Sequence, residues 1–267
     1  MNKDLEIRKI AFETLTLIEK SNIPSHVVLR DVLDKYDYFS KNEKALISTI
    51  VKGVIERKLL LDYVLNQYSK VPVNKMKKPV RTILEMGTYQ ILFMKSYDSM
   101  AVNTGVELAR KKGLANLSGF INAILRKISA NKDAIKYPEK GDKNYLSVTY
   151  SMPEFLCDFL LKQYDFDTVE TMLKASLESD TVRIRISERV SDDEAKAIEA
   201  EIKEIATEFS KNEEFPRLLS VKGIGNISDL KAFKEGKIYI QDTGSYMLVK
   251  NVPYGKTILD ACSAPGG

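Results

Sequence analysis

Apolar residues recur every three or four positions through the first 130 residues or so, the period of helices with one buried face. Ile7, Ile10, Ala11, Leu17 and Ile18 form the first stripe. Val28, Leu29, Val32 and Leu33 form the second, with Ser25 placed to cap it. Ser40-Lys41-Asn42-Glu43 has the form of a capping box ahead of Leu46, Ile47, Ile50, Val51 and Val54. Pro79 suits the start of a helix carrying Ile83, Leu84, Ile91 and Leu92. Gly113 ends the helix of Val106 and Ala109, and Ser118 opens one bearing Ile121, Ile124, Leu125 and Ile128. About seven short helices with no alternating pattern predict an all-α helical bundle over residues 1–135.

The polar stretch SANKDAIKYPEKGDKN (129–144) reads as a linker, after which the periodicity changes. Residues 151–178 read as helical, and TVRIRIS (181–187) alternates, placing Val182, Ile184 and Ile186 on one face. Ser191 and Glu194 repeat the capping-box pattern before Ile198, Ile202, Ile205 and Phe209. PRLLSVKG (216–223) and KIYIQD (237–242) read as strands. This order predicts a small α+β domain over 145–236, ferredoxin-like or similar to an RNA-recognition motif. A helix in SYMLVKNV and a short buried strand in TILDAC then open a third unit, 237–267.

Composition narrows the class. Hydrophobic residues make up 44% of the 267 and charged residues 29%, a globular balance. Cys157 and Cys262 alone make no disulfide framework, no run of about 18 apolar residues exists, and the first residues lack the apolar core of a signal peptide. A cytoplasmic chain with no membrane contact and no metal site is expected, and His26, the one histidine, reads as a surface residue. Charge is uneven: residues 51–150 hold 18 Lys/Arg against 8 Asp/Glu, and residues 151–200 hold 6 against 12. The basic block suits a polyanion, although lysine-rich helices also solvate their outer faces. Lys75, Lys77, Lys78 and Arg81 gather at one helix start, Arg110, Lys111 and Lys112 at one helix end, and Arg126 and Lys127 at another. Cations at a helix end favour the dipole, so only the first group lacks a structural reason.

The turn Cys262, Ser263, Ala264, Pro265, Gly266, Gly267 follows Asp260. Small residues after a strand let backbone N–H groups approach a ligand, but Pro-Gly pairs also make ordinary turns. The stretch matches neither the dinucleotide fingerprint nor a phosphate loop.

QDTGSYMLV (241–249) followed by ILDACSAPGG (258–267) resembles the opening of the methyltransferase domain of the RsmB/NOL/NOP/Sun family, in its bacterial small-subunit (16S) rRNA branch. VKGVIERKLLLDYVLNQY (51–68), ILEMGTYQILFM (83–94), AVNTGVELARKKG (101–113) and GFINAILRK (119–127) resemble helices of that branch's NusB-like domain. YSMPEFLCDFL and VRIRIS resemble its linker helix and the first strand of its middle domain. The chain departs from the family in lacking a tryptophan after Pro153, with Phe155 or Phe159 supplying bulk, and in lacking the lysine that follows the second glycine.

The resemblance implies an S-adenosyl-L-methionine-dependent RNA cytosine-C5 methyltransferase that acts on 16S rRNA as a monomer. Its NusB-like domain would hold rRNA through the three basic groups, and Cys262–Gly267 would begin the cofactor site ahead of a Rossmann-like domain. A cysteine thiolate attacks cytosine C6 in that chemistry, and neither cysteine of this chain matches the motif positions. Cys157 lies in the apolar EFLCDFLL and reads as core. The expectation is an N-terminal fragment that binds rRNA without catalysing. The rival is a non-catalytic NusB-like RNA-binding or antitermination factor carrying an accessory domain.

Overall fold

Ser40 accepts a hydrogen bond from the Glu43 N–H while the Glu43 carboxylate accepts from the Ser40 N–H at 2.7 Å, so the capping box forms as the sequence requires. In this computed structural model, which describes residues 3–94, 98–178, 181–225, 227–253, 255, 257 and 259–261, the chain divides into two compact units, Met1–Leu177 and Glu178–Gly267.

The first unit holds α1 (Lys3–Lys20), α2 (Ser25–Lys35), α3 (Lys41–Glu56), α4 (Lys58–Tyr68), α5 (Lys78–Phe93), α6 (Asp98–Lys111) and α7 (Ser118–Ala130). Three further helices follow: α8 (Tyr145–Thr149), α9 (Glu154–Leu161) and α10 (Phe166–Leu177). Ten of the 16 residues of α5 are buried, which makes it the central helix, packed by α1, α3, α4, α6 and α7. Gly87 lets α7 approach it, since a Cβ there would stand 2.6 Å from a Leu125 methyl. Gly113, at φ +75°, closes α6: the Leu114 N–H reaches back to the Ala109 carbonyl at 2.9 Å.

Two details of the helical reading change. Ser25 is the first residue of α2 rather than its cap; Pro24 holds the cap position and offers no side-chain acceptor. Leu17 is 48% exposed although Ile7, Ile10 and Ala11 of its stripe are buried.

Helices α8 to α10 fall with the first unit, where the sequence pattern groups them with the strands. One reason is a long-range cap. α4 starts one residue after α3 with no side-chain cap of its own, and the Leu60 N–H donates instead to the Ser151 hydroxyl at 3.2 Å. Ser151 is the one non-glycine at positive φ among the described residues (φ 51°), a conformation with a steric cost. The 129–144 stretch is also pinned, the Gln67 amide bonding both the carbonyl and the N–H of Lys136.

The second unit runs β1 (Val182–Ile186), α11 (Asp192–Ile205), β2 (Glu208–Lys211), β3 (Leu218–Lys222), α12 (Lys231–Lys234), β4 (Ile238–Ile240) and α13 (Thr243–Asn251). The strands form one antiparallel sheet in the order β2-β3-β1-β4, with Ile184 opposite Leu219 and Ile186 opposite Ile238. Ile184, Ile186, Leu219, Val221 and Ile238 share a core with Ala195, Ile198 and Ile202 of α11.

Three strand-level expectations need correction. Phe209 leaves the α11 stripe, because α11 stops at Ile205 and Phe209 pairs with Val221 in β2. β4 pairs with β1, so 237–242 completes this sheet rather than opening a third unit. Thr257 and Leu259–Ala261 are in no strand, and Leu259 is 87% exposed instead of buried.

Candidate nucleic-acid interface

The segment between α4 and α5 is held from inside by α4. The Asn66 side-chain oxygen accepts from the Val73 N–H at 2.9 Å, and the Ser69 hydroxyl donates to the Val71 carbonyl at 2.7 Å. These bonds fix a 3-10 turn over Val73–Lys75, with Val73 buried and Lys75 exposed. Lys77 caps α5 and Lys78 begins it, both exposed. Lys78 lies 3.6 Å from Glu19, whereas Lys75 and Lys77 make no ion pair among the described residues. Lys77, at the N-terminus of α5, opposes the dipole there, and Lys75 ends the preceding 3-10 turn, so both exposed ammonium groups are open to an external anion.

Arg81 belongs to a different structure. Its Nε donates to Glu85 at 2.7 Å and its Nη2 to Asp62, and its side chain is only 24% exposed. Glu85 is buried (3% exposed), and burial pushes its carboxyl up to about 7, with neighbouring Asp62 adding to the effect against Lys58 and Arg81. Arg81 therefore neutralises two carboxylates where α4 meets α5. The spacing of Arg81 to Glu85 (i, i+4) signals part of this network in the sequence. The third member, Asp62, arrives from another helix.

Among the remaining cations, Lys112 is engaged: it bonds Glu13 at 2.6 Å and lies over the Phe12 ring at 5.3 Å. Lys111 stands 3.8 Å from Glu107. Arg126 donates to Asn122 at 3.0 Å and borders an open cavity of about 410 Å3 with Ser99, Val102, Asn103, Ser129 and Ala130. Arg110 and Lys127 are exposed and unpaired among the described residues. The nine predicted contacts thus divide into four unpaired cations (Lys75, Lys77, Arg110 and Lys127), weakly paired Lys78, Lys111 and Arg126, and the committed Arg81 and Lys112.

A second cavity, also of about 410 Å3, lies beside Lys75 and is lined by Asp62, Asn66, Ser69, Pro72, Val73, Asn74 and Arg81. Asn66 and Asn74 carry no signal in the linear sequence, since only the α4–α5 turn brings them together.

The predicted cofactor residues Cys262, Ser263, Ala264, Pro265, Gly266 and Gly267 lie outside the described residues. Cys157 is 5% exposed, as core placement requires, and burial raises its thiol above the ordinary range. His26 is exposed. Among the described residues no cluster of His, Cys, Asp or Glu suits a metal ion, and no helix is long and apolar enough to cross a membrane.

Residues 5–130 match the NusB family. The first unit is NusB-like over that stretch. Seven helices, α1 to α7, make up that NusB-like stretch. Beyond it, similarity runs along the whole chain. The chain is 28% identical over 279 residues to the Bacillus subtilis "Probable ribosomal RNA small subunit methyltransferase B", covering 99% of this chain and 59% of that protein. Its Synechocystis counterpart is 28% identical over 268 residues, again with 59% of the relative covered. The chain therefore resembles ribosomal RNA small subunit methyltransferase B and spans about three-fifths of the length of these relatives. The solved structure of PH0851 shares the fold at a TM-score of 0.62 and 21% identity, over 92% of this chain and 54% of that one.

Proposed function

We propose that the NusB-like domain of this chain binds small-subunit ribosomal RNA, and that the whole protein methylates a cytosine C5 of that RNA with S-adenosyl-L-methionine. The observation that carries this reading is the colinear similarity to rRNA small subunit methyltransferases B across both units, from the helical bundle through the four-stranded sheet. A free-standing NusB-like factor would account for the bundle and leave the second unit without a counterpart. The β-α-β-β-α-β order of that unit, with β1 and β3 central, supports a ferredoxin-like or RNA-recognition-motif-like middle domain. A Rossmann-like catalytic domain of the whole protein rests on the family resemblance of residues 258–267.

Within the chain, the RNA role falls first to Lys75, Lys77, Arg110 and Lys127, the exposed cations without an internal partner. Such contacts position an RNA backbone and read little sequence. Cys157 takes no nucleophilic part: a buried thiol with a raised pKa yields little thiolate. Cofactor binding by Cys262–Gly267 rests on the family resemblance of that stretch alone. In this reading the protein acts as a monomer.

Binding of a 16S rRNA fragment across a salt series tests the interface. The logarithm of affinity should fall with the logarithm of salt at roughly 0.7–0.9 per phosphate contacted. Replacing Lys75 and Lys77 together by alanine should flatten that slope by about 1.5. An unchanged slope in the double variant, or no RNA binding by the parent chain, refutes the assignment.

A further inference from the structure

The cavity beside Asn74 is lined by two asparagines, by apolar surface and by one internal ion pair, Arg81 with Asp62. Asn66 is held by its side-chain oxygen on the Val73 N–H, which leaves its amide N–H groups as donors with no partner among the described residues. The Asn74 side chain is exposed and makes no hydrogen bond among the described residues. Pro72 and buried Val73 supply apolar surface. The Arg81 charge is spent on Asp62 and Glu85, so it offers no free cation to a phosphate inside the cavity. The volume, about 410 Å3, is in the range of sites that hold one small planar group. Lys75, next to Asn74 in the chain, and Lys77, two residues further, are the exposed cations of the same turn without an ion pair among the described residues.

A ligand matching this layout is anionic outside and neutral, flat and rich in hydrogen-bonding edges inside. We propose that the cavity takes one unpaired nucleobase of the RNA whose phosphates lie on Lys75 and Lys77. This rests on the RNA-binding reading above and adds to it that the α4–α5 turn prefers single strands. Asn66 and Asn74 meet the base edge, Pro72 and Val73 its face, and a paired base cannot enter. The edge groups of an unstacked base are what proteins read in single-stranded RNA.

The test uses the full chain and three probes: a short unstructured RNA strand, the same strand with one abasic ribose, and its duplex. The intact strand should bind roughly three- to tenfold more tightly than the abasic one, the worth of about one net hydrogen bond. Asn74→Ala and, separately, Asn66→Asp, which keeps the acceptor for the Val73 N–H, should bring the intact-to-abasic ratio to about one. The ratio is the readout because a charge change acts on both strands alike. Duplex binding should persist in Asn74→Ala with the parental salt slope. A parental ratio of one, or a ratio that survives both substitutions, overturns the pocket and leaves the lysine interface standing. Failure of all three probes to bind overturns the interface, and the pocket with it.

Discussion

Tyr89 lies across the bare Cα of Gly53, where a β-carbon would overlap the phenolic end of the tyrosine. The ring is stacked on Phe93 at 5.5 Å, and Arg57 sits over Phe93 at 5.4 Å, so α3 and α5 meet through a layered contact that needs a glycine. Gly53→Ala gains about 1 kcal/mol of helix propensity and loses about 1–3 kcal/mol to overpacking. A net loss near 1 kcal/mol should appear as a lower Tm. In a Tyr89→Leu background the same substitution should no longer destabilise, and a double-mutant cycle on urea unfolding reads the difference.

Ser40 and Glu43 satisfy two backbone donors at the start of α3. Ser40→Ala should cost about 1 kcal/mol. Ser191 caps α11 on one side only, its hydroxyl accepting from Glu194 N–H at 3.4 Å, so Ser191→Ala should cost less. Chemical denaturation of the two variants side by side ranks the caps.

Glu85 gives the fold a pH dependence of defined sign. Its carboxyl titrates near 7 in the folded chain against an ordinary 4.5, so between those values the folded state keeps a proton that the unfolded state has lost. Stability from this group falls as pH rises through that window, by up to about 1.4 kcal/mol per unit, and levels off above 7. Glu85→Gln cannot ionise. Its stability relative to the parent should therefore rise steeply between pH 5 and pH 7, rise less from pH 7 to 8 and level off above that, followed as urea unfolding by helical circular dichroism. Parallel curves for the two proteins would contradict the assignment.

The helical half of the chain was legible because its signals are local. A capping box, a proline at α5 and a glycine after α6 act within a few residues, and each appears where the pattern placed it. The internal pairing of Arg81 was not legible, because its charge is visible in the sequence while Asp62, 19 residues earlier, is visible as a partner only in the fold. β2 was invisible for the opposite reason. Its four residues, Glu208–Lys211, include one apolar side chain, Phe209, which also continued the spacing of the preceding helix. The Ser151 cap on Leu60, spanning 91 residues, has no local signature at all, and it draws α8 to α10 toward the bundle.

Cys157 should be inert in the native protein. Its thiol is buried and raised by that burial, with Asp158 adding to the effect. In a Cys262→Ser variant, iodoacetamide at pH 8 should leave Cys157 unmodified under native conditions and alkylate it fully in denaturant. Rapid native labelling, read by mass spectrometry, would show that α9 opens readily.

The two edges of the small sheet are unlike. β2, at one edge, carries Glu208 and Lys211, both ion-paired, to Lys222 at 2.9 Å and to Glu199 at 2.6 Å. β4, at the other, reads Ile238-Tyr239-Ile240, with Tyr239 41% and Ile240 56% exposed and no second strand beside it among the described residues. Charged edges repel an incoming strand and apolar ones accept it. The sheet therefore guards its two borders by different means, one by paired charge and the other by brevity, since β4 is only three residues long.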